Sequence, residues 1–226
     1  MTKKKKGALL ISAFALIALL VVGGTLAYFT SQDDATNVFT LGKVSGDLTE
    51  ETKPGEEPID PTNPESPKHP VKPGTQTETG IEYEKVLPGD WLSKEPRIAL
   101  KANSEDAYVR VKLEVEVLEG TLSDAQKAEI ISANCLNFGQ KWIVSGDYIY
   151  YQDVLTTKPT GSSQTDPVFT IVKIPGETWG NSAAGAKFTI KVTADLIQAD
   201  NFTPGHNADG QIDSWGNVQI EKENQN

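Results

Sequence analysis

The sequence predicts a mainly β protein: a β-sandwich or jelly-roll-like domain with one or two short helices, preceded by a signal peptide and a proline-rich disordered segment. Three observations carry this. Val109, Val111, Leu113, Val115 and Val117 alternate with Arg110, Lys112, Glu114 and Glu116, the period-2 pattern of a half-buried strand. Phe188, Ile190, Val192, Ala194 and Leu196 repeat that pattern near the C-terminus. Turn signals separate further short apolar runs, and only one stretch reads as helix.

The chain opens with four lysines, an apolar run from Ala8 to Val22 broken by Ser12, and the small-residue stretch Gly23 to Ala27. This is the order of a secretory signal, with cleavage expected between Ala27 and Tyr28. The alternative is an uncleaved transmembrane anchor, because Gly7 to Gly24 approaches the ~18 apolar residues that span a bilayer. Lysines before the span put the remainder outside the cell under either reading. The expected location is therefore secreted, in an extracellular matrix or at the cell surface.

Across the whole chain 21 basic residues stand against 31 acidic ones, a formal charge of −10. Removing residues 1–27 takes four lysines and no acid, leaving 17 against 31 and a charge of −14. Such a chain does not attract nucleic acid by charge. Its single cysteine, Cys135, cannot close an internal disulfide, so the core must hold the fold.

Residues 28–50 form an N-terminal segment. Residues 51–80 hold seven of the thirteen prolines, six of them at every third position from Pro58 to Pro73, with only Ile59 and Val71 fit for a core. Polyproline II repeats every three residues, so this stretch is expected to be an extended spacer or a protruding loop. At ~3.1 Å per residue, Pro54 to Pro73 would reach about 60 Å. The remaining 81–226 is long enough for one core.

Within that body, Leu87-Pro88-Gly89-Asp90 is a tight-turn sequence. A strand and a second turn at Asn103 to Asp106 follow, then the long alternating strand, predicting two antiparallel neighbours. Ser123 with Gln126 three residues on marks a capped helix that continues to about Ala133. Trp142 to Val144 and Tyr148 to Tyr151 flank Ser145-Gly146-Asp147 as a hairpin, and a strand from Val168 to Ile174 stops at Pro175-Gly176.

Catalysis finds little support. The chain has two histidines, His69 in the proline-rich stretch and His206 in a Gly/Asn/Asp-rich loop, and no His-Glu-x-x-His. A zinc hydrolase needs ligands in fixed spacing, and a serine or cysteine triad needs a histidine base. No catalytic residue, cofactor or metal ligand is expected. Asn207 to Asp213 imitates the middle of a calcium loop, but Gly205 and Gly216 stand where the first Asp and the bidentate Glu belong, so a solvated turn around Asp209 is expected. Trp142, Tyr148 and Tyr150 are candidate binding aromatics for a glycan or protein partner. Tyr148 and Tyr150 fall on one face and Tyr151 on the other, which is equally the pattern of a core plus one exposed ring.

Three stretches resemble the TasA/camelysin-type exported proteins, which are matured by a dedicated signal peptidase. They are Gly24 to Phe29 at the signal junction, Ala35 to Gly42 after it, and Pro88-Gly89-Asp90 with Asn103 and Ala107-Tyr108-Val109. The resemblance covers most of the N-terminal half; the proline-rich insert departs from it, because a short hairpin connection would stand there. It implies a jelly-roll-like building block of matrix or surface fibres whose partner is a second copy of itself, along with other matrix or surface proteins. Some such relatives carry a metallopeptidase label, which the histidine count does not support. It also implies that the N-terminal segment is donated as a strand to the next subunit, here Val38 to Leu48, with Val38, Phe39, Leu41 and Val44 as the assembly residues and Phe39 and Leu41 as anchors. An exposed sheet edge is a template for such a strand. The alternatives are that this stretch pairs within its own domain, or that the protein is a monomeric surface-displayed binding module.

Overall fold

A computed structural model describes residues 30–34, 44–63, 65–77, 80–83, 86–176, 178–179, 183, 186–200 and 202–218. The expected signal cleavage at Ala27 and Tyr28, and the assembly residues Val38, Phe39 and Leu41, lie outside the described residues. The described chain is mainly β, with one short helix.

The first layer is a five-stranded antiparallel sheet in the order β1 (Thr30–Asp34), β14 (Lys187–Gln198), β9 (Ala107–Glu119), β12 (Tyr148–Tyr151), β11 (Trp142–Ser145). Its spine is the pair of long alternating strands. They run opposite each other from Lys187↔Glu119 to Gln198↔Ala107, placing Val192 beside Leu113 and Ala194 beside Val111 on the core face. β11 and β12 form the expected hairpin, turning at Gly146, whose φ of 58° is a conformation glycine adopts without penalty.

The second layer runs β10 (Leu136–Phe138), β13 (Phe169–Lys173), β7 (Trp91–Ser93), β4 (Lys68–Lys72), β3 (Gly55–Pro58). Beside it, β2 (Gly46–Glu51) pairs along its whole length with β8 (Glu95–Leu100). The segment before β13 stitches β8 to this layer: Leu100 N donates to Ser163 O (2.7 Å), Thr165 N to Ile98 O (2.9 Å) and Val168 N to Pro96 O (2.9 Å). Two small ladders complete the architecture, β5 (Thr75–Thr77) with β6 (Gly80–Glu82), and β15 (Gly205–His206) with β16 (Ile212–Ser214).

One apolar cluster fills the space between the layers. Val109, Val111 and Leu113 from β9 and Ile190, Val192 and Leu196 from β14 meet Ile98 of β8, Phe169 of β13 and Leu136 of β10. Helix α1 (Asp124–Ile130) adds the buried Ile130 to this cluster. Ser123 and Gln126 form the expected capping box, each side chain accepting from the other's backbone N–H. The helix stops at Ile130 rather than Ala133, because Ser132 and Cys135 enter a turn in which Cys135 N donates to Ser132 O.

Three sequence expectations change. The strand after the Leu87–Asp90 turn is broken at Lys94 into β7 and β8, and neither half pairs with β9: the Asn103 turn carries the chain from one layer to the other. The physical reason is that Ile98 and Leu100 on one strand and Val109 and Val111 on the next bury best facing each other across the core. Secondly, the proline-rich stretch is not an extended spacer. It forms β3 to β6, and β4 joins β7 in parallel with Val71 buried against it. Pro58 ends the outer strand, and Pro70 precedes the Val71–Lys72 pairing with β7, so neither missing N–H interrupts a ladder; Val71 is the apolar anchor that fixes the register. Thirdly, β1–β14, β2–β8, β4–β7 and β5–β6 all pair residues before position 81 with residues from 81 onward, so the described residues on the two sides form one interwoven body.

Candidate functional site

Two features of the fold are candidates for function: the N-terminal strands, and an aromatic cluster on the outer face of the first layer.

β1 is the outermost strand of the first layer, antiparallel to β14 from Thr30↔Ile197 to Asp34↔Thr193. The chain then passes through residues 35–43 and re-enters the described fold in the opposite layer. There Val44 is fully buried, Lys101 N donates to Ser45 O (2.8 Å), and β2 pairs with β8. The one described assembly residue, Val44, is thus a core residue of its own chain. Its neighbour Glu50 reinforces that attachment: the Lys94 ammonium lies 2.5 Å from Glu50 Oε1, and both side chains are about nine-tenths buried. β2 is therefore held by core burial and a buried ion pair, whereas β1 is an outer strand on a single neighbour.

The proline-rich hairpin is fastened by equally specific contacts. His69 stacks on Trp91 with ring centroids 4.6 Å apart, and the Lys173 ammonium sits 4.2 Å from the same indole. Lys72 Nζ donates to Asp90 Oδ2 at 2.6 Å, while Leu87 N donates to the same oxygen at 2.8 Å. Burial works against ionisation at Asp90, but these donors outweigh it and hold its carboxyl below the ordinary value. Thr52 Oγ1 and the Tyr83 hydroxyl both donate to Ser93 O. Burial drives the Tyr83 phenol far above its usual range.

On the outer face of β9 and β14, Arg110 lies directly across from Asp195, with Nε donating to Oδ2 at 2.8 Å. The guanidinium is stacked by Tyr148 at 3.7 Å and by Trp215 at 4.6 Å. Tyr150, Ile197, Ile212 and Trp215 bury one another here, with Tyr108, Tyr148 and Phe202 around them. Alternation with Arg110, Lys112, Glu114 and Glu116 predicts a charged surface on this face. It is so at Lys112 and Glu114, but at Arg110 it is a second small core under the β15–β16 hairpin. Gln152 clips that hairpin down, its Oε1 accepting from Ile212 N at 2.7 Å and its Nε2 donating to Ile212 O at 2.9 Å. Burial raises the Tyr150 phenol despite the nearby Arg110 cation.

The three candidate binding aromatics do not converge. Tyr148 and Tyr150 belong to this outer cluster, whereas Trp142 is buried in the main core beside Tyr151, its Nε1 donating to Asp166 O at 3.1 Å. The pleat separates them: Trp142 pairs with Tyr151, which is one position out of phase with Tyr150. Sequence reasoning missed Arg110, Asp195 and Trp215. The signal available was a charged pair of opposite sign at matching places in two alternating strands.

The loop around Asp209 closes on itself. Asn207 Oδ1 accepts from Asp209 N (3.0 Å) and Gln211 N (2.9 Å), and Gly210 has a φ of 76°. Its best oxygen is thus spent on the turn. Among the described residues no group of three His, Cys, Asp or Glu side chains could hold a metal ion. His69 and His206 lie on β4 and β15, in different ladders. Among the described residues no helix is long and apolar enough to cross a membrane. Comparisons with protein-family models, with curated proteins and with solved structures found no match.

Proposed function

We propose that this chain is an exported structural subunit of an extracellular matrix or cell surface, assembling with further copies of itself by exchange of its N-terminal strand. The two-layer body is read as jelly-roll-like, and its role as structural rather than catalytic. The observation that carries the reading is the placement of β1: an outer strand paired to β14 alone, connected through residues 35–43 to a body fastened independently by Val44 and Glu50.

An outer strand of this kind is exchangeable at low cost. Its five register pairs with β14 can be made equally by the β1 of a second copy, and the released β14 edge remains a template for main-chain hydrogen bonds. Exchange of an identical element needs no new surface chemistry. This moves the donated element from Val38–Leu48, where the described part is locked into its own core, to the segment before residue 35.

Sedimentation and electron microscopy of a chain beginning at Tyr28, beside one beginning at Val44, test the proposal. Filaments from the first and folded monomers from the second are the expected result. Folded monomers from both, or filaments from both, would overturn it.

A further inference from the structure

The second layer ends in β3, and what this strand offers to solvent bears on which edges of the molecule can pair. Ile59 N donates to Pro67 O at 2.9 Å, just beyond the register Gly55↔Val71, Glu56↔Pro70, Glu57↔His69, Pro58↔Lys68. Antiparallel strands bond their partner at every second residue. Gly55, Glu57 and Ile59 therefore turn their backbone groups towards β4, and Glu56 and Pro58 turn theirs towards the open side. Proline has no N–H. The open edge of β3 thus carries a single donor, at Glu56, flanked by the exposed carboxylates of Glu56 and Glu57.

What lies under this strand is of the opposite character. β7 presents Leu92 and Ser93, both buried, and Trp91, and its side away from β13 is occupied by β4. Without the hairpin this would be an apolar, fully donating edge. The contacts that keep the hairpin in place, His69 on Trp91, Lys72 on Asp90 and Val71 in the core, all fall on β4, leaving β3 as the outward face.

We propose that the proline-rich hairpin β3–β4 is an edge guard: it occupies the pairing edge of β7 and ends the layer in a strand that a second copy of this chain cannot join. An added strand would find one donor missing at Pro58, and a two-fold pairing centred on Glu57 would set like charges against each other. The guard holds whether or not the protein polymerises. If copies do exchange β1, as proposed above, the guard confines that growth to the first layer; this consequence alone rests on that reading.

Cross-linking of the full chain tests the guard. In a two-fold antiparallel pair centred on residue 57, the two Cβ atoms would sit within disulfide reach. Glu57→Cys is compared with the same substitution carrying Glu56→Thr and Pro58→Thr, under mild oxidation at one concentration. Glu65→Cys, at the exposed hairpin turn, sets the collision background. The guarded chain, which keeps Glu56 and Pro58 although its Glu57 charge is gone, is expected to stay at background, and the unguarded one to give about tenfold more disulfide dimer, the donor restored at position 58 and the loss of the Glu56 carboxylates being worth on that order. Far-UV circular dichroism and a thermal melt establish that each chain is folded. Should the triple substitution unfold the hairpin, Glu57→Cys with Pro58→Thr alone restores the donor with least disturbance. Dimer above background from Glu57→Cys alone, or a folded unguarded chain that stays at background, would overturn the guard.

Discussion

Arg110 and Asp195 face each other across the central pair of strands, 2.8 Å apart, with side chains only 7% and 2% exposed. They are far apart in the chain, yet they form one unit with Tyr148 and Trp215, which stack on the guanidinium. Two buried opposite charges cost desolvation and repay it only in good geometry with further partners. Here the register of β9 on β14 supplies the geometry and the rings supply the further partners.

Arg110→Leu leaves the Asp195 carboxylate buried without its cation, and is expected to cost ~3–5 kcal/mol by urea denaturation. Adding Asp195→Leu should recover part of that loss, because the buried charge goes with it. Arg110→Lys should also destabilise, since an ammonium cannot present a flat face to Tyr148 and Trp215 together. A single variant within experimental error of the parent would contradict this account.

A chain beginning at Ile81 is expected not to fold. It lacks β2 and β4, removes Val44 and Val71 from the core, and strands the Lys94 ammonium without Glu50. A chain beginning at Val44 keeps all of these and should give a cooperative melt. Circular dichroism of the two truncations checks the contrast, and a folded Ile81 chain would show that the proline-rich stretch is dispensable.

Acid should loosen the proline-rich hairpin before the body. The Asp90 carboxyl lies below its ordinary value in the folded state, so its contribution is fully present above the unfolded-state value near ~4 and is lost as pH falls through the lower folded-state value. Hydrogen-exchange protection of residues 55–77, measured relative to the intrinsic rate at each pH, should fall as pH drops through that window in the parent. In Asp90→Asn the protection should already be reduced at neutral pH and change less across the acid window. Equal acid dependence in both chains would place the tether elsewhere.

Cys135 should be inert until the protein unfolds. Burial, reinforced by the nearby Glu129 carboxylate, pushes its thiol up to about 11. Alkylation at pH 8 followed by mass spectrometry should leave the native protein unmodified and label it fully in denaturant. Rapid native labelling would mean that the turn after α1 opens readily.

The aromatic cluster and the second layer show how far residue patterns reach. Alternation over Val109–Val117 and Phe188–Leu196 determined the two long strands, because a strand with one buried face must alternate. Ser123 with Gln126 determined the helix start, because the capping box is made within four residues. Ser145-Gly146-Asp147 determined the hairpin, because a tight turn is local chemistry. These elements were legible because the interactions that build them close over short stretches of chain.

Which strand lies beside which was decided only in three dimensions. Trp142 and Tyr150 are eight positions apart in one hairpin, yet the pleat sends them to opposite faces, and only the pairing partner Tyr151 reveals which. Arg110 reads as surface until β15 and β16, nearly a hundred residues later, fold over it. The proline-rich stretch reads as a spacer because nothing within it could bury a core, and it is ordered by what lies outside it: Trp91, Asp90 and Ser93. The sequence by itself determined the two long strands, the hairpin, the helix start and the sign of the net charge. The tertiary structure decided the layers, the buried ion pairs and the guarded edge, because each depends on a partner distant in the chain whose position no local pattern encodes.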